Sequence, residues 1–219
     1  LEGFLARPDL PEEIAREQRK RLARLYEEKL IYRGHRLINW CPRCHTALSD
    51  IEVEHREESG ELVHITYPFR DGPGGITVAT TRAETMLGDT AVAVHPDDNR
   101  YRDDVGKIVV LPLLNRDIPV VADDAVEMEF GTGAVKVTPA HDPNDFATGK
   151  RHGLEEINIL ELDGRLNENG GPFAGMDRFQ ARRAALSNPA RGFVSQPEPR
   201  TIGSFARGRQ LTEGKFLFA

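Results

Sequence analysis

Phe130-Gly-Thr-Gly-Ala-Val-Lys-Val-Thr-Pro-Ala-His-Asp-Pro-Asn-Asp145 is the stretch from which the fold can be read. Residues 134–138 alternate in the manner of a strand, which should put Lys136 and Thr138 on the same face. A lysine in mid-strand beside glycines is an odd choice for a core. Gly131 and Gly133 allow a tight turn or a close approach of backbone to a ligand. The strand runs into His141, Asp142 and Asp145 at a helix start. There Asp142, before Pro143, suits the N-cap, and Asp145 suits the third helical position. Two readings of these aspartates stand side by side. In one they only cap a helix; in the other they gather with Lys136, Thr138 and His141 around a polar site. A lone histidine is more often a hydrogen-bonded packing residue than a base. No P-loop is present, and Gly131-Thr-Gly133 is too short to be a dinucleotide fingerprint.

Working outward, residues 62–69, 76–81, 90–94, 107–111 and 118–122 are also short runs rich in Val, Ile and Thr, broken by Gly, Pro, Asp and Asn. Asp71-Gly-Pro-Gly-Gly75 reads as a hairpin loop. Many short strands at this spacing predict a barrel or sandwich. Thr80-Thr-Arg-Ala-Glu-Thr85 follows one of them. Its hydroxyls (Thr80, Thr81, Thr85) and the Arg82 guanidinium can donate to an ester, a ribose or a phosphate. The plainer reading is a Thr N-cap with Glu84 supporting a short helix. A helix is predicted over residues 11–30, with Pro11 at its first position, Glu12 and Glu13 on the positive end of the dipole and Gly34 as its stop. Ile14, Leu22, Leu25, Tyr26 and Leu30 would form its apolar face. Further helices are expected near residues 142–145 and over 177–186. The domains are expected at 1–46 (helix, knuckle and entry linker), 47–187 (the β domain) and 188–219 (an exit linker).

The chain has 219 residues, of which 39% are hydrophobic and 29% charged, the balance of a globular protein. No apolar run approaches the roughly 20 residues of a membrane helix, and no secretory signal is visible, so the expected location is cytoplasmic and away from membranes. The first residue is Leu rather than Met, as expected for a piece of a longer protein. Net charge is −6, distributed as +2 over residues 1–36, −13 over 37–174 and +5 over 175–219. That argues against a free-standing nucleic-acid binder held by charge, while leaving an acidic centre able to accept a cationic amino group. The only cysteines, Cys41 and Cys44, are spaced as half of a zinc site. His35, His45, His55 or His64 could add a ligand, and no spacing selects one.

Together, the segments 80–85 and 130–145 resemble the T-T-R-P-E-T and G-T-G-A-V-K-V-T-P-A-H-D-x-x-D motifs of the editing domains of valyl-, isoleucyl- and leucyl-tRNA synthetases. Asn39-Trp-Cys-Pro-Arg-Cys44 and Ala47-Leu-Ser-Asp-Ile-Glu-Val-Glu54 are similar to the segment by which the valyl enzymes enter this insertion. The likeness covers roughly residues 20–180. Lys136 together with Thr138 points to the valyl branch, since the isoleucyl family tends to place His at the lysine position and the leucyl family lacks both.

The resemblance implies a mainly β fold with flanking helices: a β-barrel-like editing domain inserted in a Rossmann-type synthetase, of which only flanking pieces are present. The H-I-G-H and K-M-S-K-S signatures are absent, so ATP use and amino-acid activation would belong to the rest of the enzyme. The implied activity is hydrolysis by water of threonine from the 3′ acceptor end of tRNA(Val). In that role Asp145, Thr81 and Arg82 carry catalysis, and Thr80, Thr85, Phe130, Lys136, Thr138, His141 and Asp142 hold the substrate. No cofactor is required, and a structural zinc on Cys41 and Cys44 is the one metal considered. Ala83 departs from the family proline, and the second cysteine pair of zinc-bearing relatives is missing. The alternatives are editing of isoleucyl or leucyl specificity, a non-catalytic fragment that binds the acceptor end, and a zinc-knuckle scaffold.

Overall fold

The computed structural model describes residues 11–32, 34–187, 198–207, 210–211 and 215–218. Two compact units result, one reaching to Arg36 and one spanning Leu37–Phe218.

In the first unit, α1 (Glu12–Glu27) starts one residue after Pro11, whose carbonyl accepts the Ala15 N–H at 3.0 Å. Proline thus stands just outside the helix rather than at its first position. The helix ends seven residues before Gly34, because Lys29 itself takes the left-handed conformation (φ 59°) and the Leu30 N–H turns back to the Leu25 carbonyl. Ile14, Leu25, Tyr26 and Leu30 of the expected apolar face are exposed.

The second unit is built of strands. β1 (Arg36–Cys41) and β2 (Thr46–Leu48) form a hairpin around the Cys-Pro-Arg-Cys turn. β3 (Glu54–Pro68) and β4 (Gly75–Thr80) form a second, closed by the glycine-rich loop that the sequence marks, with Gly72 and Gly74 at positive φ. β5 (Ala91–Val94), β6 (Ile108–Leu111), β7 (Arg116–Ala122) and β8 (Ala134–Val137) follow. Then come α2 (Pro143–His152) and α3 (Arg178–Ser187). In the stretch anticipated as a linker lie β9 (Glu198–Arg207), β10 (Gln210–Leu211) and β11 (Lys215–Phe218).

The strands form three sheets, ordered β11-β1-β2, β10-β9-β3-β4 and β6-β7-β5-β8. The last is mixed: β5 runs parallel to β7 and antiparallel to β8. The mainly β architecture with flanking helices is found, whereas barrel closure is not found among the described residues. A bridge from Phe69 to Val109 joins the β3–β4 hairpin to β6. β4 and β8 lie side by side without pairing, and both line the cavity described below. Pairing those two edges would close the sheet and fill that space. No helix among the described residues is long and apolar enough to cross a membrane.

Alternation places Val63, Ile65 and Tyr67 of β3 and Ile76 and Val78 of β4 in one core with Val92, Val94, Val109, Leu111, Ile118 and Val120. Each such branched side chain contributes roughly 1.5–3 kcal/mol when fully buried. The opposite face of β5 is buried too: Ala91 and Ala93 pack with Val126 and Val137. A strand apolar on both faces is thereby held at the centre of its sheet.

The loop from Asp123 to Gly133 is clamped at each end. Asp123 accepts two hydrogen bonds from Arg151 (2.9 and 2.8 Å), lies 2.8 Å from Nε2 of His152 and accepts the Ala125 N–H. At the other end Arg100 donates to the Met128 carbonyl and Tyr101 to that of Thr132. Gly133, at φ 78°, leaves no room for a side chain, since a Cβ there would overlap Nη2 of Arg100. Hydrogen bonds from Arg151 hold the Asp123 carboxyl down to about 2 against the opposing pull of burial, aided by Ala125 and His152. The resulting stabilisation is full above the ordinary value of 3.8 and is lost as the pH falls through about 2. Asp123→Ala is expected to cost about 1 kcal/mol at neutral pH, because the loop loses its hydrogen bonds while Arg151, half exposed, is taken up by water. Scanning calorimetry should show a midpoint lower by about 2–4 °C, and an unchanged midpoint would mean the clamp adds nothing.

Candidate functional site

A cavity of about 400 Å³ opens between β4, β8, the N-terminus of α2 and the clamped loop. Thr80, Thr81, Arg82, Thr85, Phe130, Lys136, Thr138, His141, Asp142 and Asp145 all line it, so the ten residues expected at a substrate site meet in one place, while Glu84, Gly131 and Gly133 of the same motifs do not line it. Ala125, Val126, Glu127, Asn144 and Thr148 are among the remaining wall residues; none of these stood out in the sequence.

The turn after β4 is built by its own hydroxyls. Thr80 Oγ1 accepts the Arg82 N–H (3.1 Å), and Thr85 Oγ1 donates to the Arg82 carbonyl (2.9 Å). A 3-10 turn, Ala83–Gly88, follows, and Arg82 rather than a threonine occupies its N-cap. Glu84 does not cap it. Its buried carboxylate takes two hydrogen bonds from Arg182 of α3 (2.6 and 2.8 Å) and lies 3.8 Å from Nε of Arg82. Burial works to raise that carboxyl; the bonds and charge of Arg182, with the charge of Arg82, outweigh it and hold the group below its ordinary value. The Arg82 guanidinium also donates to the His141 carbonyl (3.0 Å), which ties the first motif to the second.

At the second motif Asp142 is the N-cap, accepting the N–H groups of Asn144 (2.8 Å) and Asp145 (3.2 Å). Asp145 instead accepts the Thr138 N–H at 2.9 Å, which fixes the start of α2 against the end of β8. Asp142 thus caps the helix as the plainer reading has it, Asp145 does not, and both line the cavity. Burial pushes the Asp145 carboxyl up to about 7; Lys136 opposes this, Asp142 and Asp89 add to it, and the Thr138 N–H opposes it. His141 is fully buried, with Nε2 accepting the Ile159 N–H at 3.0 Å, the behaviour of a packing residue. Phe130 stands exposed at the rim.

Lys136 and Thr138 do share a partner, as alternation requires, but that partner was not legible in the sequence. Asp89, with no exposed surface, accepts from Thr138 Oγ1 (2.5 Å) and from Lys136 Nζ (3.3 Å) on one oxygen, and from the Tyr67 hydroxyl (2.6 Å) on the other. Burial raises the Asp89 carboxyl, opposed by Lys136, Thr138 and Tyr67. Burial and the neighbouring Asp89 raise the Tyr67 phenol well above its usual range. An aspartate after glycine and before a strand reads as a turn residue, so neither Asp89 nor Tyr67 carried a signal.

Cys41 is buried and Cys44 exposed, with the Cys44 N–H directed at Cys41 Sγ (3.4 Å). Among the described residues no group of three or more His, Cys, Asp or Glu is arranged to hold a metal ion. Two thiols alone do not complete a tetrahedral zinc set.

Residues 7–205 match the family model described as tRNA synthetases class I (I, L, M and V). The chain is 56% identical over 190 residues to a valine--tRNA ligase of Syntrophotalea carbinolica, covering 86% of this chain and 21% of that protein. It is 60% identical over 177 residues to one of Synechocystis sp., covering 80% of this chain and 20% of the relative. It thus spans about a fifth of the length of these relatives. Among solved structures, the LeuRS-tRNA-LeuAMS ternary complex from Agrobacterium radiobacter K84 has a similar fold, with a TM-score of 0.50 at 17% identity, covering 91% of this chain and 32% of that one. With the family model matching nearly the whole chain, this protein belongs to the class I tRNA synthetases of the I, L, M and V group.

Proposed function

We propose that this chain is the editing domain of a valyl-tRNA synthetase and hydrolyses threonine from mischarged tRNA(Val). The observation that carries the reading is the convergence of both motifs on one polar cavity of about 400 Å³, within the range of small-ligand sites. Its partners would be the 3′ acceptor end of the tRNA and the remainder of the synthetase. The valyl enzyme is the established example of why such a site is needed: an apolar activation pocket rejects the hydroxylated isostere of valine only about a hundredfold. A second site must welcome that hydroxyl with hydrogen bonds, so that valine leaves polar groups unpaired.

Asp145 is the partner for the substrate's α-ammonium. In the empty site its carboxylate is poorly solvated, and an arriving cation relieves that cost. Lys136, Thr138 and Asp142 form the polar face that reads the hydroxyl. Thr81, Arg82 and Thr85 position the ester and the terminal ribose, and Phe130 offers its ring to the adenine. Water attacks the ester carbonyl, the bond to the ribose oxygen breaks, and that oxygen takes a proton. No side chain is assigned as general base, and the rate comes from orientation and fixed dipoles. A zinc on Cys41 and Cys44, with ligands from elsewhere in a longer protein, would be structural and takes no part in these steps.

The purified chain, at high concentration, is expected to deacylate threonyl-tRNA(Val) and to act on valyl-tRNA(Val) at least about a hundredfold more slowly. Asp145→Ala should lose about a hundredfold in kcat/KM, the consequence of removing one member of a buried charge pair. Absence of threonine release by the wild-type chain, or an unimpaired variant, would overturn the reading. Equal release from mischarged isoleucine or leucine tRNAs would shift the specificity to those branches.

A pH profile tests the role of Asp145 separately. Ammonium binding requires the carboxylate, so kcat/KM should climb as the pH rises towards about 7 and level off above it. Asp145→Asn should be flat across that range. Because the folded value lies above the ordinary 3.8, the empty chain should lose stability as the pH rises from 3.8 to about 7, and Asp145→Asn should remove that slope in thermal melts.

A further inference from the structure

Asp89 lies beneath the cavity and does not line it, yet it decides what two cavity residues can offer. Its backbone is fixed as firmly as its carboxylate: the N–H donates to the Met86 carbonyl (2.9 Å), and its own carbonyl accepts from Arg116 (2.7 Å). As the anion a carboxylate only accepts, so the Thr138 hydroxyl, 2.5 Å away, must give it its one proton. Thr138 Oγ1 is then an acceptor towards everything else, and one of its lone pairs receives a proton from Lys136. Lys136 has three N–H groups; one goes to Asp89 and one to Thr138. Thr138 itself has no exposed surface, so what remains for the cavity is the third N–H of Lys136, whose side chain keeps a small exposed area. Tyr67 holds the second Asp89 oxygen at 2.6 Å and so prevents the carboxylate from turning.

We propose that Asp89 is the positioning residue for specificity: by taking one Lys136 proton and the Thr138 proton, it makes Thr138 the acceptor of a second Lys136 proton and leaves the cavity one fixed donor, the third N–H of Lys136. A substrate hydroxyl accepts from that N–H; a methyl group leaves it unpaired. The inference rests on the threonine-editing reading of the site. It assigns the choice of substrate to a residue that never touches it, and Tyr67 supports that choice from one step further away.

The test is the ratio of kcat/KM for threonyl-tRNA(Val) to that for valyl-tRNA(Val), measured for the wild-type chain, Asp89→Asn and Tyr67→Phe, with melting curves for each. The amide introduced by Asp89→Asn would donate as well as accept, so the Thr138 proton would no longer have a fixed direction. The ratio is expected to fall roughly tenfold or more in Asp89→Asn, the scale of a lost hydrogen bond to a charged group. In Tyr67→Phe, where the carboxylate stays but loses one anchor, a fall of about threefold is expected. Parallel loss on both substrates, with the ratio kept, would reduce Asp89 to a structural residue and overturn the proposal. Should Asp89→Asn fail to fold, the ratio in Tyr67→Phe decides by the same criterion. A wild-type chain that releases no threonine would sink the editing reading and this inference with it. An active wild type with an unaltered ratio in the folded variants sinks this inference alone.

Discussion

Placing a carboxylate where no water reaches it constrains everything around it. An ionised Asp89 without partners would cost several kcal/mol, so its surroundings have to be complete. Completion draws on three side chains from two distant parts of the chain: Tyr67 from β3, and Lys136 and Thr138 from β8 and the residue just beyond its end. Because β3 belongs to one sheet and β8 to another, the network sets how the two sheets meet. The same geometry keeps the edges of β4 and β8 adjacent but unpaired, and the cavity occupies the space between them.

The rest of the site is stiffened by bonds that cross between motifs. Arg82 reaches the His141 carbonyl, and Asp145 holds the Thr138 N–H. Glu84 hands the first motif on to α3 through Arg182. The loop carrying Phe130 is tied down by Asp123 on one side and by Arg100 and Tyr101 on the other. A site fixed in this way has its dipoles in place before a substrate arrives, which is the condition under which a reaction can proceed without a strong base.

Local patterns were readable wherever one face of an element is buried and the other is not. β4 alternates residue by residue between buried and half-buried positions, and β4 to β8 fall within about two residues of the runs seen in the sequence. The start of α2 was legible because Asp-Pro is a capping signal with a mechanism. β3 was only half visible: its first residues, Glu-His-Arg-Glu-Glu-Ser-Gly-Glu, show no alternation and are held in a strand by pairing with β9, whose residues lie 138 to 152 positions further along the chain. The end of α1 was misplaced because a lysine, and not the expected glycine, adopts the left-handed turn.

The sequence by itself determined most of the central strands, the glycine turns and ten of the groups that line the cavity. Those depend on the order of residue types along short stretches, which local sterics and hydrogen bonding translate directly into structure. Only the tertiary structure decided what those groups are free to do. It joined Lys136 and Thr138 to an aspartate 47 and 49 positions away, assigned Glu84 to Arg182 instead of to a helix cap, buried His141 and, among the described residues, left the edges of β4 and β8 unpaired. The reason is physical: the donor or acceptor state of a polar group, and the cost of its charge, are set by neighbours in space and by the loss of water around it, and neither is written in its neighbours along the chain.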